Sequence, residues 1–116
     1  MIAGGHVLLF VENPDVAVRF YVETLGMKLV EQASELVIDA GEGFLIGLQK
    51  RPAGASPSAT TGGPVVRLLA KLPIRQAIEI LENRGVTFTV REEAGLTLAD
   101  FTDGDGNRLC LYQSAT

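Results

Sequence analysis

The chain begins with two regimes of hydrophobic spacing. Gly5–Glu12 is a short run rich in Val, Leu and Phe, which predicts a buried strand. From Asn13 the spacing becomes helical. Val16, Ala17, Phe20, Tyr21, Thr24 and Leu25 recur as one packed stripe. Asn13 suits the N-cap, Pro14 the first helical position, and Asp15 the positive end of the helix dipole. Gly26 can take the left-handed conformation that ends a helix. Strands are then predicted over Met27–Gln32, Glu35–Ala40 and Gly43–Lys50, with turns at Ala33-Ser34 and Gly41-Glu42-Gly43.

The same order returns after Arg51–Pro64, a stretch of Pro, Gly, Ser, Ala and Thr with no apolar period that reads as a mobile linker. Val65–Lys71 is the next strand. Pro73 opens a helix with an apolar face of Ile74, Ala77, Ile78 and Leu81, and Gly85 closes it. Leu72 is a poor cap, so this helix is expected to start less firmly than the first. Strands follow over Val86–Glu92, Leu96–Phe101 and Arg108–Gln113, with Asp103–Asn107 as the last turn. Sliding Pro14 onto Pro73 lays His6 on Val65 and Gly26 on Gly85 without a gap. One supersecondary unit has been used twice. The expectation is an α+β chain forming one domain, with βαβββ modules at 1–50 and 65–116 joined by 51–64.

Composition narrows the partners. A chain of 116 residues can bury roughly two thirds of its unfolded surface, enough for a core without staples. The net charge is −4, with no Lys/Arg cluster, which argues against nucleic acid. The longest apolar run, Val7–Val11, is far too short to span a membrane, and no signal peptide is expected before it. A single cysteine, Cys110, excludes an internal disulfide and fits a reducing cytoplasm.

His6-Val…Asn13…Phe20-Tyr21…Leu25-Gly26 resembles the opening of the vicinal oxygen chelate superfamily, which includes glyoxalase-type lyases, extradiol dioxygenases and bleomycin-resistance proteins. Phe101-Thr-Asp-Gly-Asp-Gly-Asn-Arg-Leu-Cys-Leu-Tyr resembles its closing motif. The resemblance implies two modules forming a cupped mixed sheet with helices outside, commonly as a homodimer, with a ligand or metal inside. Metal ligands in such proteins come from the first and fourth strands of each module. Here those places hold His6, about Gly47 (with Gln49 the nearest polar residue), Val65 and Cys110. Only His6 is of the normal ligand type, and a catalytic divalent site generally needs about three protein ligands. No cofactor is therefore expected, and a divalent metal at His6 is the lesser alternative.

Strand alternation selects the residues that would line the cup. Beside His6 these are Leu8 and Phe10 in the first strand, and Leu45, Gly47 and Gln49 in the fourth. In the second module they are Val65, Arg67 and Leu69, then Arg108, Cys110 and Tyr112. The ligand-binding candidates are His6, Phe10, Gln49, Arg67, Arg108, Cys110 and Tyr112, and no catalytic residue is assigned. Arg67, interrupting an aliphatic strand, is the sharpest of them. Two arginines suit a planar or anionic ligand through bidentate hydrogen bonds or stacking.

Other signals have plainer readings. Asp103, Asp105 and Asn107 sit at calcium-loop spacing, but the glycine and bidentate glutamate of such a loop are missing, so a tight turn is expected. Glu92-Glu93 reads as a solvated turn. The expected function is metal-independent binding or sequestration of a planar or aromatic compound. The alternatives are a metal-dependent glyoxalase-like lyase or dioxygenase using His6, and a non-catalytic dimer of ferredoxin-like βαββαβ architecture.

Overall fold

The computed structural model describes residues 1–31, 36–54 and 64–115. The turn expected at Ala33-Ser34 and most of the expected linker lie outside these residues. The chain divides into two compact units, 1–58 and 59–116. Each carries the βαβββ order, so the ferredoxin-like alternative is excluded.

In the first unit, β1 (Val7–Val11) is followed by α1 (Pro14–Arg19), β2 (Lys28–Glu31), β3 (Leu36–Asp39) and β4 (Leu45–Lys50). The sheet order is β1-β4-β3-β2, with β1 parallel to β4 and the other pairs antiparallel. Asn13 caps α1 as expected, its Oδ1 accepting the Asp15 and Val16 N–H groups at 3.0 and 3.4 Å. The helix then widens into a π-helical segment, Phe20–Thr24, in which the Leu25 N–H donates to the Phe20 carbonyl. Gly26 follows at φ +78°. The buried stripe is narrower than its spacing implies. Ala17 and Tyr21 are buried, one turn apart, whereas Val16 is 62 % exposed because it lies to the side of that line. The expected start of β4 at Gly43 is also corrected. The Phe44 N–H turns back to the Gly41 carbonyl, and the ladder begins at Leu45.

The second unit repeats the plan with β5 (Val65–Leu69), α2 (Ile74–Asn83), β6 (Thr89–Glu93), β7 (Leu96–Thr102) and β8 (Arg108–Ser114). Its sheet order is β5-β8-β7-β6, with β5 parallel to β8. Ile74 and Ile78 of α2 are buried above Val66, Leu109 and Leu111, which lie on the alternate positions of their strands. The weak start expected of α2 is corrected by a residue far along the chain. Gln113 Oε1 accepts the Ile74 N–H at 2.9 Å, and its Nε2 donates to the Ala70 and Leu72 carbonyls at 3.3 and 2.9 Å. One side chain at the end of β8 thus supplies the missing cap and holds the β5–α2 connection.

At the other end of α2, Gly85 (φ +96°) forms a Schellman closure. Its N–H reaches the Glu82 carbonyl and that of Val86 reaches Leu81. Val86 is thereby taken from the ladder, so β6 starts at Thr89 and not at Val86. Glu92 and Glu93 belong to β6, which corrects their reading as a turn. The turn is Ala94-Gly95, with φ +52° and +78°, the mirror-image geometry that two-residue hairpins favour.

Among the described residues no helix is long and apolar enough to cross a membrane.

Candidate functional site

Each sheet has a helix-covered face and a second face, and exposure follows the alternation. On β1, Leu9 and Val11 are buried while Leu8 and Phe10 are 36 % and 39 % exposed. On β5, Val66 is buried while Val65 and Leu69 are 37 % and 67 % exposed. The candidate residues fall on the second faces, in two sets.

In the first unit, Phe10 and Gln49 are cross-strand partners of β1 and β4. Gly47 pairs with Leu8. A Cβ built on Gly47 would lie 3.0 Å from His6 Cδ2, 3.2 Å from its Nε2 and 3.2 Å from Leu8 Cδ1. The imidazole therefore lies over the glycine, and the place of a fourth-strand ligand is filled by the ring of the first-strand residue.

In the second unit the register aligns Arg67 on β5, Cys110 on β8, Asp100 on β7 and Thr89 on β6 as one row across the sheet. Arg108 and Tyr112 flank Cys110 at the next positions on the same face, opposite Val65 and Leu69. The row is held electrostatically. Arg91 Nε donates to Asp100 Oδ2 at 2.7 Å, and the same guanidinium pairs with Glu93. The Arg91 hydrogen bond, with help from Cys110 and the charge of Arg108, holds the Asp100 carboxyl below the usual aspartate range, against the opposing effect of partial burial. Cys110 is fully buried. Burial first, then hydrogen bonding to and the charge of Asp100, push its thiol up, so it stays protonated at neutral pH. A protonated, buried thiol is neither a ready nucleophile nor a ready metal ligand.

An open pocket of about 640 Å³ lies on this face of the second unit. Its polar wall is Thr87, Thr89, Asp100, Thr102 and Arg108, with Val65, Phe101 and Leu109 as apolar lining. Of the sequence candidates Arg108 lines it, while Arg67 and Cys110 share the row of its Asp100 and Thr89 without lining it, and Tyr112 lies one row further along. Asp100, its partner Arg91 and the three threonines were not among the candidates. The signal for Asp100 is the period-2 pattern of Leu96–Thr102, read back through the Asp103–Asn107 turn. That turn fixes the register. Asp103 Oδ1 accepts the Asp105 and Asn107 N–H groups, and its Oδ2 accepts from Asn107 Nδ2, all at 2.9 Å. Its carboxylate is spent on the turn, as expected from the missing calcium-loop residues.

The four places from which the resembled family draws metal ligands thus hold an imidazole, a glycine, a valine and a buried thiol. Among the described residues no three His, Cys, Asp or Glu side chains converge on one point. The donor set does not fit a divalent centre with three protein ligands and an open position.

The profile of the family described as Glyoxalase/Bleomycin resistance protein/Dioxygenase superfamily matches residues 4–111. Among solved structures, a member of that superfamily from Sphaerobacter thermophilus is 28 % identical, with a TM-score of 0.78 over 96 % of this chain and 97 % of its own. The structure of UcmS2 is 25 % identical, with a TM-score of 0.80 over 98 % and 100 %. A mobile-metagenome protein of V. Pseudocholerae is 25 % identical, with a TM-score of 0.73 over 97 % and 94 %. A search of curated proteins finds no match.

Proposed function

We propose, because this chain belongs to the glyoxalase/bleomycin resistance protein/dioxygenase superfamily, that it binds a small planar or aromatic compound without a metal and acts by holding it. The carrying observation is the pocket on the second sheet, where Val65, Phe101 and Leu109 stand beside five polar side chains at a volume suited to a small ligand. The donor set at the metal places supports the same reading, since His6 is packed over Gly47 and Cys110 is buried and protonated. The working form in this proposal is a cytoplasmic homodimer. The apolar side chains left exposed on the sheet faces, Leu69 above all at 67 %, support the dimer, and the single free cysteine is in keeping with a reducing compartment.

Titration calorimetry with a panel of planar aromatic metabolites and antibiotics tests the binding. The expected result is saturable, stoichiometric binding that survives EDTA and is lost in Thr89→Trp, which fills the pocket from an exposed strand position. Absence of saturable binding across the panel would refute it. So would near-stoichiometric metal in protein purified without chelator that disappears in His6→Ala.

A further inference from the structure

We infer that this pocket selects uncharged compounds that donate a hydrogen bond, through a hydroxyl or an N–H, and that Asp100 is the acceptor that recognises them. The inference rests on the small-molecule reading above and names the chemical class which that reading leaves open.

Asp100 stands among the hydroxyls of the polar wall. Thr89 is its cross-strand partner on β6, and Thr102 is the next residue on the same face of β7. Its side chain is partly exposed where it lines the pocket. Arg91 Nε takes one position on Oδ2 at 2.7 Å, and the Cys110 thiol takes another on the carboxylate. Two carboxylate oxygens together offer about four lone-pair positions, so acceptor capacity remains for a ligand. The same two partners hold the carboxylate in one orientation, and a preorganised group costs a ligand little to engage.

The charges of the wall are already matched to one another, which disfavours an ion of either sign. Arg91 bridges Asp100 and Glu93. Arg108 is engaged in interactions of its own, and its charge also acts on Asp100. A ligand anion would meet the Asp100 carboxylate, and a ligand cation would meet the guanidiniums of Arg91 and Arg108. Either would give up hydration without a countercharge to itself. A neutral donor loses far less hydration. It gains a bond to an ionised acceptor, roughly twice as strong as a bond between neutral groups.

Thr89 supplies the other half of the match. A hydroxyl both donates and accepts, and cross-strand neighbours stand about 5 Å apart at their Cβ atoms. A ligand hydroxyl that gives its proton to Asp100 can therefore accept one from Thr89. An ether of the same skeleton keeps the second bond and loses the first.

The test uses benzyl alcohol and benzyl methyl ether, titrated into the full chain by saturation-transfer NMR. A pocket of about 640 Å³ has room for the added methyl group. The alcohol is expected to bind about tenfold more tightly, the ratio one hydrogen bond to a charged group supplies. Asp100→Leu should weaken the alcohol about tenfold and the ether less than about twofold, with Asp100→Asn between. Arg91 keeps Glu93 as a partner in both variants, and a far-UV spectrum and melting curve confirm that each is folded. Equal affinity for the two probes, equal weakening of both by Asp100→Leu, or alcohol binding indifferent to it overturns the assignment and leaves the small-molecule reading standing. Tighter binding of benzoate or benzylammonium than of benzyl alcohol does the same. Failure of the alcohol and the ether to bind also overturns it, and together with an empty aromatic panel overturns the reading beneath it.

Discussion

Gln113 offers the clearest measure of how the second module is held. Its side chain makes three hydrogen bonds to the β5–α2 connection, accepting from Ile74 and donating to Ala70 and Leu72. Gln113→Leu keeps the volume and removes all three. The lost helix cap costs about 1 kcal/mol. Each lost carbonyl bond would cost a further ~1 kcal/mol if the carbonyl stayed dry. The Leu72 bond is exposed, so water replaces much of it, and the two bonds together are worth about 1 kcal/mol. The sum is about 2 kcal/mol. For a chain of 116 residues, with an unfolding entropy of about 2.1 cal/mol/K per residue, this lowers the melting temperature by roughly 8 °C. Thermal unfolding followed by far-UV circular dichroism reads the shift, and amide exchange at Ile74 should speed up in parallel. Gln113→Ala serves as control: a similar loss assigns the effect to hydrogen bonding and not to packing. A Leu variant melting within about 2 °C of the wild type would refute the assignment of the cap to Gln113.

Other expectations concern the two sheet faces and the last hairpin. Gly47→Ala should displace the ring packed over it, so the chemical shifts of the single histidine should move in NMR spectra. Unchanged shifts would contradict the contact of 3.0 Å between a Cβ at this position and His6 Cδ2. Asp100 has a folded pKa below its unfolded value of about 3.9, so its contribution to stability is present above that value and is lost as pH falls through the lower one. Urea unfolding should therefore show a full gap between wild type and Asp100→Asn above about pH 4 that closes as pH falls below it, whereas a gap unchanged down to acid pH would remove the linkage. Cys110, buried and with its thiol pushed up, should react with thiol reagents at neutral pH only as fast as the protein opens, and fully in denaturant. Fast labelling of the native protein would refute this. Ala94 sits at φ +52°, where asparagine is at less cost, so Ala94→Asn should stabilise by about 0.5–1 kcal/mol in urea titration.

Most of the fold was legible because it is written in local signals. Asn13-Pro14-Asp15, Gly26 and Gly85 mark helix ends by their own conformational preferences, and the structure uses them as such. The misplaced boundaries share a cause. Phe44 and Val86 have strand-like side chains, but their N–H groups are claimed by a turn and by a helix closure. A side-chain pattern cannot show where a backbone donor goes.

The candidate site divides along the same line. Alternation alone chose the face that carries Arg67, Arg108, Cys110 and Tyr112, since successive side chains on a strand must point to opposite sides. It could not choose the neighbours. Asp100 stands beside Cys110 because Asp103 ties a turn that fixes the β7–β8 register, and Arg91 reaches Asp100 through a second hairpin. Gln113 caps a helix that begins far earlier in the chain. The sequence by itself determined the repeated modules, the helix ends and the face that each side chain takes, all of which depend on residues near one another in the chain. Only the tertiary structure decided which charges pair, which carbonyls are satisfied and which threonines share a pocket. Those depend on strand register, which brings distant residues within hydrogen-bonding range and leaves no local trace.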